Sequence, residues 1–491
     1  MGKHLLSKSS FIKGIQCEKQ LFLYKYHYDW MDKVSENLQA VFKRGTDVGV
    51  LAQELFPGGK IATDDPKKSD AAINKTSKLI DENTEVIYEA AFLFDGILVI
   101  SDIIVKIGNK WKIYEVKSST SISDTYLIDA AVQYYVLSNS SIEIEDISII
   151  YINNQYVRSG ELDIHSLFNI ESVMNLIIPK QEFIEKETSR LKEVLLRKNI
   201  LGIPIGTQCF DPYACSFFSH CWENVPDYSV FDIANLNIKK KFEFYNNGIV
   251  NLEDIPEAND LNDNQRMQVE SHISNKTIIK MKEIKQFLNT IKYPIYFMDF
   301  ETFMPAVPLF NNARPYQQIP FQYSLHFQKK SGSRLEHHEF LAEANGDPRD
   351  EFITKLLKDT KDIGTILVYN KSFEISRLKE IAKDFPEFAY EIEERISRIV
   401  DLMIPFQKRY YYKPAMKGSY SIKKVLPALI PELKYDDLGI KEGGTASSAF
   451  ESLYYESDLF KIEEIRNNLL NYCKMDTQAM VEIFNDLINL L

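Results

Sequence analysis

The sequence has no apolar run long enough to cross a bilayer. Its first residues also lack the apolar stretch of a signal peptide, so a cytoplasmic protein with no membrane partner is expected. Cysteine is scarce. Five in 491 residues are too few for a disulfide scaffold of this size, which points to a reducing compartment. An excess of basic charge is missing as well. Lysine and arginine number 58 against 70 acids, a net charge of −12, which argues against a surface that coats nucleic acid. That balance does not exclude an enzyme whose active-site acids are screened by metal and whose basic residues are local.

What is present is an ordinary globular composition, 45% hydrophobic and 26% charged. The chain is too long for one core, so two or three domains are expected. Helical spacing runs over residues 9–28, 38–56 and 70–81, and then the period changes from helix to strand. Residues 85–94, 97–107 and 110–118 read as three strands joined at Asp95-Gly96 and Gly108-Asn109. Asp102 lies in the second. Glu115 and Lys117 lie two apart in the third and so share a face. Such a set can bind Mg²⁺ through Asp102, Glu115 and the carbonyl of Val116, while Lys117 positions water or stabilises charge on a phosphate. A salt-bridged exposed strand is the plainer alternative. A helix carrying Gln133 and Tyr134 follows.

Four of the cysteines bracket this segment: Cys17 near the start, then Cys209, Cys215 and Cys221 at even intervals. Clustered thiols in a reducing compartment call for a metal. Four thiolates suit Zn²⁺, but the paired CxxC knuckles usual for zinc are absent. His220 is expected to be a bystander and Cys473 a core residue. Residues 226–290 carry no strand signal and read as a helical connector. Their basic run, residues 238–242, is either a solvated face or a contact to a nucleic-acid backbone.

The second half centres on the run from Ile295 to Phe303, apolar except for Asp299, Glu301 and Thr302. In a strand Asp299 and Glu301 project from one side. Two adjacent carboxylates must be neutralised, by a proton or by a divalent cation. Strands are expected at 319–328, 334–341, 365–369 and 399–403, with Glu374 opening a helix just after the third and Asp401 as a further acid. The last helix, residues 460–490, carries Tyr472 and Asp476 four apart on one face. Gly418 to Lys424 reads as a helix start with hydroxyl caps and two basic residues, suited to a phosphate or to simple capping.

Two resemblances follow from these residues. Asp102, the Glu115–Lys117 strand and the Gln133-Tyr134 helix resemble the RecB-type PD-(D/E)xK nucleases, which have a restriction-endonuclease-like α/β/α core. In that family an earlier helix supplies a His or Glu; here Gly49 stands at the His position, leaving Glu54 or Glu89 as substitutes. With Cys17, Cys209, Cys215 and Cys221 the match extends to the iron–sulfur subclass of CRISPR-associated and AddB type, which implies a [4Fe–4S] cluster on those cysteines, with Zn²⁺ as the alternative. Residues 291–491 resemble the DEDD exonucleases in their tyrosine variant, on an RNase H-like mixed-sheet frame. Asp299, Glu301, Glu374 (where Asp is usual) and Asp476 would then hold two Mg²⁺ or Mn²⁺ ions, with Tyr472 orienting water. The resemblance thus implies an α/β nuclease with a RecB-like domain over 1–225, a connector over 226–290 and an exonuclease domain over 291–491. Its expected substrate is DNA, trimmed 3′ to 5′ by the second module.

Overall fold

The change of period at residues 85–118 corresponds to an antiparallel meander in the computed structural model, which describes residues 5–63, 65, 69–140, 142–256, 260–433, 435 and 438–491. Its strands are β3 (Val86–Phe94), β4 (Ile97–Ile107) and β5 (Lys110–Lys117). Asp95 (φ +48°) and Gly96 (φ +71°) are both left-handed, the backbone that a two-residue hairpin loop requires. Around the meander lie β1 (Leu6–Ser7), β2 (Lys60–Ile61), β6 (Ile144–Ile152) and β7 (Phe168–Ser172). The sheet order is β2-β3-β4-β5-β6-β7, with β1 beside β4. It is a mixed sheet: β5 and β6 run parallel, β6 and β7 antiparallel. The Asp124–Ser138 helix packs Ala130, Ala131 and Val132 on one face of it, together with Phe11, Leu21 and Leu191. The Glu36–Ala52 helix places Val48 and Ala52 in a second core, with Ile103 and Ile150.

The inward-facing phase slips in the middle of this meander. In β3, Ile87 faces the first core, but so do Ala90 and Phe92. The switch falls at Glu89, whose φ of +54° is left-handed, between the pairs Tyr88–Ile103 and Ala90–Ser101. The register is the same on both sides, so no residue is inserted; the positive φ at Glu89 accompanies the change of phase, opposite Asp102.

The second sheet has the order β11-β10-β9-β12-β13. The strands are β9 (Ile295–Phe303), β10 (Ile319–Gln328), β11 (Leu335–Leu341), β12 (Thr365–Val368) and β13 (Ile399–Asp401). The first three pair antiparallel and the last two join in parallel. β9 is central, which explains its continuous apolar run: Ile295 to Met298 are all buried. The Leu459–Asn489 helix lies against β9 and β10. A small ladder pairs β8 (Ile278–Ile279) with β14 (Tyr411–Tyr412). The architecture is α/β with mixed sheets.

Two expected helices differ. The stretch 9–28 breaks at Cys17, which is extended (φ −162°) between the helices Lys8–Gln16 and Glu18–Tyr26. In the stretch 226–290, read as helical with no strand, the Asp263–Ser274 helix stops where Asn275 caps it in the left-handed region (φ +49°), and Ile278 and Ile279 form β8. The chain divides into two compact units, Met1–Asn224 with Ala306–Tyr316, and Val225–Pro305 with Gln317–Leu491. Residues 226–290, read as a connector, cluster within the second unit, and Ala306–Tyr316 clusters with the first.

Candidate functional site

In the second unit, Asp299 and Glu301 project from β9, and Asp476 meets them from the Leu459–Asn489 helix. Carboxylate oxygens of the three lie within 4.8 Å of one another, a spacing that suits one cation. Burial raises all three, and for Asp299 and Glu301 the repulsion of neighbouring carboxylates adds to it. Asp299 is pushed well up by burial, Asp476, Glu301 and Glu374. Glu301 rises to about 8, by burial and then Asp476. Asp476 rises less, to about 6, because hydrogen bonds from Tyr435 and Tyr472 and the charge of Lys423 oppose its burial. The Tyr435 hydroxyl donates to Asp476 at 2.7 Å.

Glu374 stands outside that 4.8 Å group but close enough for its charge to act on Asp299. It is 1% exposed, and its Oε2 is buried with no hydrogen-bond partner. Burial holds its carboxyl well above the usual range, with Asp401 and Glu301 adding to the shift. Asp401 is structural. It accepts the backbone N–H groups of Asn370 (3.0 Å), Lys371 (3.1 Å) and Met403 (3.0 Å). It thereby fixes the turn that opens the Lys371–Asp384 helix, which carries Glu374. Cys473 is buried as expected, but not among apolar groups alone. Its thiol lies 3.8 Å from Asp299 Oδ2.

Tyr435 and Lys423 went unnoticed as members of this site. The Lys423 amine lies over the rings of Tyr435 (5.6 Å) and Tyr472 (5.3 Å) and favours the charged forms of Glu301 and Asp476. Lys423 belonged to a basic helix start visible in the sequence; nothing around Tyr435 distinguishes it.

The first unit assembles Asp102, Glu115, Lys117 and Gln133, and further residues complete the set. Asp102 Oδ2 accepts the Val116 N–H at 2.6 Å. Glu115, 3% exposed, is surrounded by donors: the Lys8 amine at 2.8 and 3.1 Å, Lys117 at 2.7 Å and the Gln133 amide at 2.7 Å. Burial would raise this carboxyl, but Lys117 and Lys8 outweigh it and hold it below the usual carboxylate range. Lys117 also bridges Asp129 at 2.7 Å. Asp102 rises to about 7 through burial and Glu115. Of Glu54 and Glu89, Glu89 is the one that lies near this group, within reach of the charges of Lys8 and Glu115. Burial raises it to about 7, against Lys8, while Glu54 is exposed at the end of its helix. Gly49 lies on the Glu36–Ala52 helix with open space where a side chain would stand. Tyr134 packs against the core instead of joining the acids.

The four cysteines gather at one place. Burial pushes the Cys215 thiol up to about 12, with Cys209, Cys221 and Cys17 adding to the shift. Cys17 is raised by burial and then by Cys209 and Cys221, while Lys19 donates to Cys221. The Gln16 amide clasps the carbonyls of Gln208 (2.8 Å) and Tyr213 (2.7 Å), tying the two cysteine-bearing segments together. His220 packs against Trp30 with the rings tilted, their centres 4.7 Å apart. All five cysteines are free thiols.

The structure thus defines an α/β protein with two separate acid clusters and a four-cysteine group. Residues 296–421, which hold Asp299, Glu301 and Glu374 but not Asp476, match the family described as "Domain of unknown function (DUF2779)". The chain is also 26% identical over 245 residues to Uncharacterized protein UU173 of Ureaplasma parvum serovar 3, covering 43% of this chain and 33% of that one. It is 27% identical over 223 residues to Uncharacterized protein MG366 of Mycoplasma genitalium, covering 41% and 33%. The chain spans about a third of the length of these curated relatives, 33% in each case. No helix among the described residues is long and apolar enough to cross a membrane.

Proposed function

We propose that this chain is a cytoplasmic, metal-dependent nuclease that hydrolyses phosphodiester bonds of nucleic acid, expected to be DNA. In this reading the second unit is a DEDDy-type 3′–5′ exonuclease module and the first an iron–sulfur RecB-like module. One observation carries it: the carboxylates of Asp299, Glu301 and Asp476 converge within 4.8 Å, each raised by burial, with the unpartnered oxygen of Glu374 nearby. Buried like charges without a counter-ion are costly, so the set favours a divalent cation. Asp299, Glu301, Glu374 and Asp476 would hold Mg²⁺ or Mn²⁺, which supplies a Lewis acid and water of lowered pKa. Tyr435 and Tyr472 keep Asp476 in its charged form, and Lys423 places a positive charge where a phosphate would lie.

In the first unit the same reading assigns metal binding to Asp102, Glu115 and Glu89, with Lys117 beside them. Cys17, Cys209, Cys215 and Cys221 would hold a [4Fe–4S] cluster, with Zn²⁺ as the alternative.

The test is hydrolysis of end-labelled single- and double-stranded DNA and RNA with Mn²⁺, by the wild type and by Asp299→Ala and Glu115→Ala. Shortening from the 3′ end that Asp299→Ala abolishes is expected; an undiminished Asp299→Ala rate refutes the reading. A second reading of the first unit has its own support. Both Glu115 oxygens are already engaged by Lys8, Lys117 and Gln133, and Gly49 replaces the family's His. Here that unit only grips nucleic acid, and Glu115→Ala leaves cleavage unchanged.

A further inference from the structure

A cavity of about 570 Å³ lies in the second unit, within the range of about 300–1,000 Å³ typical of small-ligand sites. It shares two chain segments with the acid cluster. One wall is Tyr369 and Asn370, which lead into the helix of Glu374. Another is the run Lys417 to Ile422, which leads directly into Lys423. A third comes from residues 232–235 and Lys241.

The lining mixes apolar and polar groups, and its cations, Lys241 and Lys417, outnumber its one acid. Lys417 is exposed, and its amine lies 5.8 Å from the centre of the Tyr228 ring; the Lys241 amine donates to the Phe231 carbonyl at 2.6 Å. The one acid, Asp232, is turned back on its own chain, accepting the Ser229 N–H at 2.8 Å. The Ile422–Leu429 helix begins at the wall, and its N-cap Ser421 makes no side-chain capping bond. The positive end of a helix favours a phosphate. Four lining residues have left-handed backbone: Asn235 (φ +54°), Asn370 (φ +88°), Lys417 (φ +46°) and Gly418 (φ +76°). Of these four, Lys417 alone is strained, since glycine and asparagine adopt this region readily. Tyr369 and Tyr420, joined by a 2.7 Å hydrogen bond from the Tyr369 hydroxyl to the Tyr420 carbonyl, offer aromatic surface for a base.

We propose that this cavity holds a nucleotide of a single-stranded nucleic acid, its phosphate at Lys417 and the Ser421 helix start, one step along the strand from the phosphodiester at the acid cluster. The proposal rests on the nuclease reading of the second unit. It gives a role to Lys241 of the basic 238–242 run, which the acid cluster leaves unused.

Fluorescence anisotropy with a 5′-labelled twelve-nucleotide oligothymidylate, full chain, no added divalent ion, tests it. Lys417→Glu reverses a charge without changing the demand on backbone. Ser421→Asp places a negative charge at the helix start while supplying a good N-cap, so the helix is retained. Each variant is expected to weaken binding about tenfold and to lower the salt slope by about 0.7, one phosphate contact on a single strand. Affinity unchanged in both variants overturns the proposal, and binding carried by the first unit alone would give that result. Hydrolysis by Asp299→Ala is measured separately. Loss of the hydrolytic reading with both binding effects intact leaves the cavity a nucleic-acid site.

Discussion

Replacing Glu301 with glutamine should remove a pH dependence that the acid cluster builds into the fold. In the divalent-free protein the Glu301 carboxyl rises from the ordinary 4.5 to about 8. Between those values the folded chain binds more protons at this position than the unfolded chain, so stability falls as pH rises through the window. A displacement of that size corresponds to on the order of 5 kcal/mol, fully lost above pH 8. Asp476, raised to about 6, acts with the same sign over a narrower span. For a unit of this size about 2–4 °C accompanies each kcal/mol, giving a drop of about 10 °C in the second unit's transition between pH 5 and pH 8.5. A divalent cation reverses the loss, because it takes the place of the protons. Differential scanning calorimetry of wild type and Glu301→Gln, with and without millimolar Mn²⁺, is the assay. The variant should show a much flatter profile and a smaller gain from Mn²⁺. Equal slopes in the two proteins, or the same Mn²⁺ stabilisation at pH 5 as at pH 8.5, would refute the argument.

Three other outcomes are expected. Asp401→Asn weakens the acceptor of three backbone N–H groups and should cost about 2–3 kcal/mol in urea unfolding. It should also lower Mn²⁺ affinity by shifting Glu374, whereas a loss of stability with unchanged affinity would separate Asp401 from the site. Cys215→Ser should strip iron and the brown colour from protein purified without oxygen, while Cys473→Ala keeps both; zinc in place of iron by metal analysis would contradict the cluster assignment. Lys8→Met should destabilise the first unit by about 3–5 kcal/mol, because it leaves Glu115 buried with one cation fewer. Added Mn²⁺ should recover part of that loss, and a cost below about 1 kcal/mol with no effect of Mn²⁺ would dismiss Lys8 as a counter-charge.

The parts of these clusters visible in the sequence are those set by simple periodicity. Asp299 and Glu301 stand two apart in an apolar run, and Tyr472 and Asp476 stand four apart on a helix, so spacing alone places each pair on a face. The hidden parts depend on backbone or on distant chain. Glu89 reaches the first cluster because φ turns positive in mid-strand, and no glycine marks the place. Cys17 interrupts a helix without any adjacent proline or glycine to signal it. Lys8 and Tyr435 sit in ordinary surroundings, and only the fold brings them to Glu115 and Asp476. Glu374 and Asp401 looked alike as strand-end acids. Their difference lies in partners: Asp401 is satisfied by three backbone groups, while an oxygen of Glu374 has none.

The two acid clusters answer the same electrostatic problem in opposite ways. In the first, four carboxyls (Glu89, Asp102, Glu115 and Asp129) share two lysines, and Glu115 stays ionised because both amines reach it. Its counter-charge is covalently part of the chain. In the second, Asp299, Glu301, Glu374 and Asp476 face, among the described residues, the amine of Lys423, held over two tyrosine rings and moderating only Glu301 and Asp476. Asp299 and Glu374 receive no such relief, and their carboxyls are held well above the usual range. A cluster that balances itself can persist without a bound ion, and one that does not must take up protons or a cation. The second unit is therefore the better candidate for metal-dependent chemistry. In the first, an incoming cation has to displace Lys8 before it can reach Glu115.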